Sequence, residues 1–151
     1  MKKIKNIWSI ICRSSSVDID TNIISLFEIV EEITITSNLN TPNQISERSN
    51  IVPFPFELVS FWERFTDVKD VLSLKMKISV VNPSEEEKEQ AQLSFNFPVG
   101  KKRMRVRIKV PGLSFTKYGL YTFKIYLEED NKFNLVQEIP LEIKSEVKIQ
   151  K

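Results

Sequence analysis

Arg103, Arg105, Arg107 and Lys109 occupy alternate positions of the segment KKRMRVRIKV, with Met104, Val106, Ile108 and Val110 between and after them. In an extended chain, alternate side chains share a face and stand about 6.5–7 Å apart. Four cations so spaced form a comb that could follow a phosphate backbone. If all four engaged duplex phosphates, affinity would fall with salt at a log–log slope of about −3.6. No aromatic residue lies among these cations to stack a base, and the net charge of the chain is only +2. The comb therefore also reads as a solvated face, whose cations pair across strands with carboxylates such as Glu138 and Glu142 or guard a sheet edge. The solvated face is the preferred reading, and nucleic-acid or other polyanion binding through 101–109 is the alternative.

A second group is aromatic. Phe54, Phe56, Phe61 and Trp62, with Phe65 just beyond, crowd the segment VPFPFELVSFWERF. They form a candidate partner surface, weighed against the core that so many large apolar side chains would fill. The loop DIDTN (Asp18–Asn22) begins like a calcium loop, but Ile23 stands where such a loop needs glycine and Ile29 where it needs a bidentate glutamate. No metal site is expected from it, and joint ligation with Asp67 or Asp70 is the minor alternative. Cys12 lies in an apolar run, where a cysteine behaves as a small buried hydrophobe. The 20 acidic residues could include two at a glycosidase spacing, but no sequence feature singles out a pair.

Composition narrows the chemistry further. The 151 residues contain no histidine, one cysteine and three glycines. Nucleophile–histidine pairs, histidine zinc sites and four-ligand cysteine zinc sites are excluded. Glycines at 100, 112 and 119 are too far apart for a phosphate-binding loop. The expectation is a protein that is not an enzyme and uses no cofactor. At the N-terminus, the apolar stretch Ile7–Cys12 is too short for an export signal and lacks a small residue for cleavage. No apolar run is long enough to span a membrane. With its one cysteine, the chain is expected in the cytoplasm.

Period-two alternation dominates the elements that must carry these residues. It predicts strands over Ile4–Cys12, over Phe27–Ile35 as one long strand, at Leu72–Val80, Leu93–Val99, Met104–Val110, Tyr121–Leu127 and Phe133–Ile143. The polar run Arg13–Asn22 is expected to break the first strand, and Thr36–Asn50 to form a long surface loop. Residues 54–66 fit both a strand and a helix, with strand favoured by the aromatic content and the all-β surroundings. Ser84 and Glu87 have the spacing of a capping box, which allows one helical turn in the acidic connection.

About eight short strands without a crossover helix predict an all-β, antiparallel β-sandwich, immunoglobulin-like or C2-like. A single domain over 1–145 and a tail over 146–151 are expected. The Ile11-Cys12 pair followed by SLFEIV (Ser25–Val30), the Asn82-Pro83 turn, and GLYTFKI (Gly119–Ile125) followed by EIPLEI (Glu138–Ile143) together resemble a group of uncharacterised bacterial β-sandwich proteins. The resemblance implies the sandwich fold and brings no activity or site residue with it. By elimination, the expected role is a non-catalytic binding or assembly module for a protein partner or a second copy of the chain.

Overall fold

The computed structural model describes residues 3–38, 50–51 and 54–148. The described chain is all-β, with no helix long and apolar enough to cross a membrane. Its elements are β1 (Ile4–Val17), β2 (Ile24–Ile29), β3 (Glu32–Asn38), β4 (Asn50–Ile51), β5 (Phe56–Arg64), β6 (Leu72–Val81), β7 (Glu87–Phe97), β8 (Arg103–Val110), β9 (Ser114–Phe115), β10 (Gly119–Glu129) and β11 (Lys132–Lys148). A four-stranded sheet has the order β2-β1-β5-β8, a five-stranded sheet the order β3-β11-β10-β6-β7, and β4 and β9 make a short ribbon. All pairings are antiparallel except β3 with β11.

Alternation explains the core. Phe56, Leu58 and Trp62 of β5 point inward, as do Tyr121, Phe123, Ile125 and Leu127 of β10, and all are buried. The two sheets meet through these residues: Phe56 stands edge-on to Phe123 with centroids 6.0 Å apart, and Trp62 lies 5.8 Å from Phe95 of β7. Each such side chain, once removed from water, contributes about 1.5–3 kcal/mol. The indole N–H of Trp62 donates to Ser60 Oγ at 2.7 Å, so its polar atom is satisfied within the core. Arg64, 3% exposed, donates to Thr66 Oγ1 and to the Asp70 carbonyl, which pins the turn after β5. The Tyr121 hydroxyl donates to the Lys117 carbonyl at 2.8 Å and fastens the start of β10 to the preceding loop.

The structure differs from the sequence reading in several places. The polar run Arg13–Ser16 does not end β1; it continues the strand into a hairpin with β2, closed by a turn at Asp18–Ile23. The single strand expected over Phe27–Ile35 is two strands in different sheets. Val30 and Glu31 carry the chain across: the Val30 amide donates to the Ile11 carbonyl at 2.8 Å, and the Glu31 carbonyl accepts from the Glu142 amide at 3.1 Å. The acidic connection forms no helical turn. Asn82 Oδ1 accepts from the Ser84 and Glu86 amides there, and β7 starts at Glu87. With the division at Val30 and the two short strands β4 and β9, the described residues form eleven strands where about eight were expected. Of the loop expected over Thr36–Asn50, Thr36–Asn38 instead finish β3 and Asn50 opens β4, and 39–49 lie outside the described residues, as do 149–151 of the expected tail, while β11 runs on to Lys148.

Candidate functional site

The outward face of the four-stranded sheet carries the basic comb on β8, one edge of that sheet. Register places Arg103 opposite Glu63, Arg105 opposite Phe61, Arg107 opposite Val59 and Lys109 opposite Glu57. The chain itself engages three of these cations. Arg103 pairs with Glu63 at 3.1 Å. Arg105 donates to the Asn22 carbonyl at 2.8 Å and to Asn22 Oδ1 at 3.3 Å. Arg107 donates to Ser15 Oγ at 3.3 Å, and Ser15 in turn donates to Glu57. Glu138 and Glu142, expected as partners from the sequence, belong to the other sheet and lie 3.7 Å from Lys124 and 3.8 Å from Lys144.

Ser15 and Asn22 belong to the β1–β2 hairpin, so these bonds show where it goes. Beyond Cys12, β1 leaves β5 and the hairpin folds back over the outer face of its own sheet. Two residues beneath it, Cys12 and Val59, are fully buried yet stand apart from the core cluster shared by the two sheets. Burial pushes the Cys12 thiol above its ordinary range, and the nearby Glu57 carboxylate adds to the shift. Asp18 organises the hairpin turn: its Oδ1 accepts from the amides of Asp20 and Thr21 and from the Thr21 hydroxyl. Those bonds, the Thr21 amide first, hold its carboxyl below the usual value. Among the described residues no group of three acids or thiols gathers to hold a metal ion, and Asp67 and Asp70 sit instead at the turn that Arg64 pins.

The aromatic segment divides by face. Phe56 and Trp62 are 1% and 0% exposed in the core, which corrects their assignment to a partner surface. Phe61 points outward and packs on Trp8 of β1, centroids 5.6 Å apart, while Phe54 is half-buried with the Arg13 guanidinium 4.1 Å above its ring. Part of the outer face of the five-stranded sheet is also internally committed. Tyr126 donates to Glu87 at 2.5 Å, and burial together with that bond pushes its hydroxyl up to about 12. The same bond holds the Glu87 carboxyl down, and Lys77 sits 4.4 Å over the Tyr126 ring.

An opening that the sequence reading missed lies on the opposite flank of the four-stranded sheet. It is a groove of about 530 Å³ between β1 and β11, lined by Ser9, Ile10, Ile29, Leu120, Ile139 and Pro140, with Glu31, Glu32 and Glu142 at one end. Ile29 and Leu120 are each 55% exposed. Alternation had placed Phe27 and Ile29 on one face with Ile33 and Ile35; the crossing at Val30 leaves the first two in solvent and turns Ile33 into the core. Lys144 pairs with Glu32 at 2.9 Å and Glu142 at 3.8 Å, and these carboxylates hold its ammonium above its ordinary range. Glu31 makes no ion pair among the described residues.

No protein-family model matches the chain, and no curated protein is similar to it. Among solved structures it is similar to a β-glucosidase from Listeria innocua: in the glucose complex at 7% identity and a TM-score of 0.47, over 93% of this chain and 17% of that chain. A second structure of that enzyme matches at 8% identity and a TM-score of 0.47, over 87% and 19% of the two chains. The gluconolactone complex matches at 9% and 0.41, over 66% and 16%. The chain therefore spans less than a fifth of the enzyme chains it matches.

Proposed function

We propose that the chain is a non-catalytic β-sandwich of the immunoglobulin-like kind that serves as a protein-binding or assembly module, with the groove between β1 and β11 as its contact surface. Two features support the sandwich. The chain leaves one sheet after β2 and joins the other as β3, parallel to the last strand. The bond from Tyr121 to a backbone carbonyl four residues upstream is the kind of tyrosine corner found where such domains turn into a late strand. The binding reading rests on a single observation: Ile29 and Leu120 stand half in water at a groove whose lining is mostly apolar. Large apolar side chains left together at a concave surface mark interaction sites, because covering them is favourable by about 25 cal/mol per Å². The lone, buried cysteine fits a reducing cytoplasmic setting.

The test is quantitative affinity capture from the native cell at mild salt, with the parent and Leu120→Glu as baits of matched melting temperature. A protein retained by the parent and lost by the variant supports the reading. Equal retention by both baits removes the groove from it.

A further inference from the structure

The backbone around the groove narrows what can enter it. β1 pairs with β5 along Ile4–Cys12 but with β2 only from Cys12 to Val17. The other flank of β1, N-terminal to Ile11, therefore pairs with no strand among the described residues. The Ile11 carbonyl accepts from Val30 on that flank. In a strand, alternate residues turn their peptide groups to the same side, so the N–H and C=O of Ser9 both face the groove.

On the far wall the Glu142 amide donates to Glu31, and by the same alternation Pro140 turns its peptide nitrogen toward the groove. Proline has no hydrogen to donate, and inside sheets it belongs to edges for that reason. The β11 wall is thus closed to strand pairing at Pro140, while the β1 wall is open. The bulge between Asn6 and Trp8 keeps the open stretch short.

We infer that the groove takes a short extended segment of another protein as an added strand on β1, paired with both peptide groups of Ser9. This rests on the groove being the binding surface proposed above. Apolar side chains at alternate positions of the segment pack on Ile10, Ile29, Leu120 and Pro140. A lysine or arginine lies at the end near Glu31, which makes no ion pair among the described residues while Glu32 and Glu142 share Lys144, so negative charge is in excess there. The free flank of β1 presents its peptide groups to a single extended chain, whereas the edge of a folded second copy brings sheet neighbours of its own. Adding a strand to an open edge draws affinity from main-chain hydrogen bonds and specificity from alternate side chains.

The experiment pans a random peptide library displayed on phage against the full chain and follows the enriched peptides by amide exchange. Enriched peptides should alternate apolar residues beside a lysine or arginine. They should slow exchange of the Ser9 amide by about tenfold or more, and lose about tenfold in affinity with Glu31→Lys. Loss of binding in Leu120→Glu without protection of Ser9 overturns the added strand and leaves the groove as the surface. Peptides that bind Leu120→Glu as tightly as the parent, or no enrichment at all, overturn both readings. A concentration-dependent dimer broken by Leu120→Glu gives the groove to a second copy and overturns the peptide.

Discussion

The two flanks of the four-stranded sheet are opposites. At β8 the charges conspicuous in the sequence are bound by the chain itself: Arg103 by Glu63, Arg105 by Asn22 and Arg107 by Ser15. At the β1 flank, ordinary residues surround a groove that no described element covers. The outer face at β8 is occupied because a hairpin long enough to reach across the sheet finds donors waiting for its carbonyl and hydroxyl oxygens. The β1 flank is open because the chain crosses between sheets at Val30, before any strand could line Ile4–Ile10. A row of like charges is therefore a poor guide to a binding surface when nearby acceptors can satisfy it locally.

The largest expected effect breaks the comparison at its base. Val59→Asp places a carboxylate beneath the hairpin at a fully buried position next to Glu57. It should cost about 3–5 kcal/mol in urea denaturation. The same change at the half-exposed Ile29 should shift stability by no more than about 0.5 kcal/mol. Equal losses at the two positions would mean that the hairpin does not cover the sheet.

Arg105→Glu comes next. It removes both bonds to Asn22 and sets a carboxylate against the Asn22 carbonyl, at a cost of about 1 kcal/mol. Amides of Asp18–Ile23 should exchange faster, and Cys12 should react sooner with a thiol reagent, since burial is the main cause of its raised pKa. Unchanged Cys12 reactivity would separate the thiol from the hairpin. The same variant tests the alternative use of β8. In a mobility-shift titration at low salt the parent should leave duplex and single-stranded nucleic acid unshifted. A shift that weakens with salt at a slope near −3.6 and disappears in Arg105→Glu would make the comb a polyanion site after all.

The contrast between the flanks also marks how far the sequence could be read. Alternation placed β6, β8 and β10 on the right residues because each has one apolar face against the core. β5 was ambiguous between strand and helix because both of its faces are substantially covered, Val59 as fully as Leu58. β1 was cut short at Arg13 because a strand that folds over its own sheet keeps polar residues among its contacts, as Ser15 and Arg107 show. Phe27 and Ile29 were misplaced because a two-residue crossing preserves odd–even parity, so alternation runs unbroken through a change of sheet. The groove had almost no local signature: Ser9, Ile29, Leu120 and Pro140 come from distant parts of the chain, and the opening depends on unpaired backbone. The one available cue was Pro140 inside a strand-like run, since proline there points to a free edge.

The smallest expected effect sharpens the occupied face at β8. Asp18 is fully exposed, and its carboxylate accepts the bonds that shape the hairpin turn. Its folded pKa lies below the ordinary 3.8, so the charged form is the one the fold prefers. The contribution is therefore fully present above the unfolded pKa and is lost as pH falls through the depressed folded value. The Thr21 amide resonance should move with a midpoint below 3.8, and in Asp18→Asn, which keeps an acceptor but no titrating charge, that movement should vanish. If acid loosened the turn while the bond from Arg105 to Asn22 persisted, protection of the Asp20 and Thr21 amides, corrected for the intrinsic pH dependence of exchange, would fall while the Ser15 amide kept its protection. Such a result would show that the arginine, not the turn, holds the hairpin on the sheet.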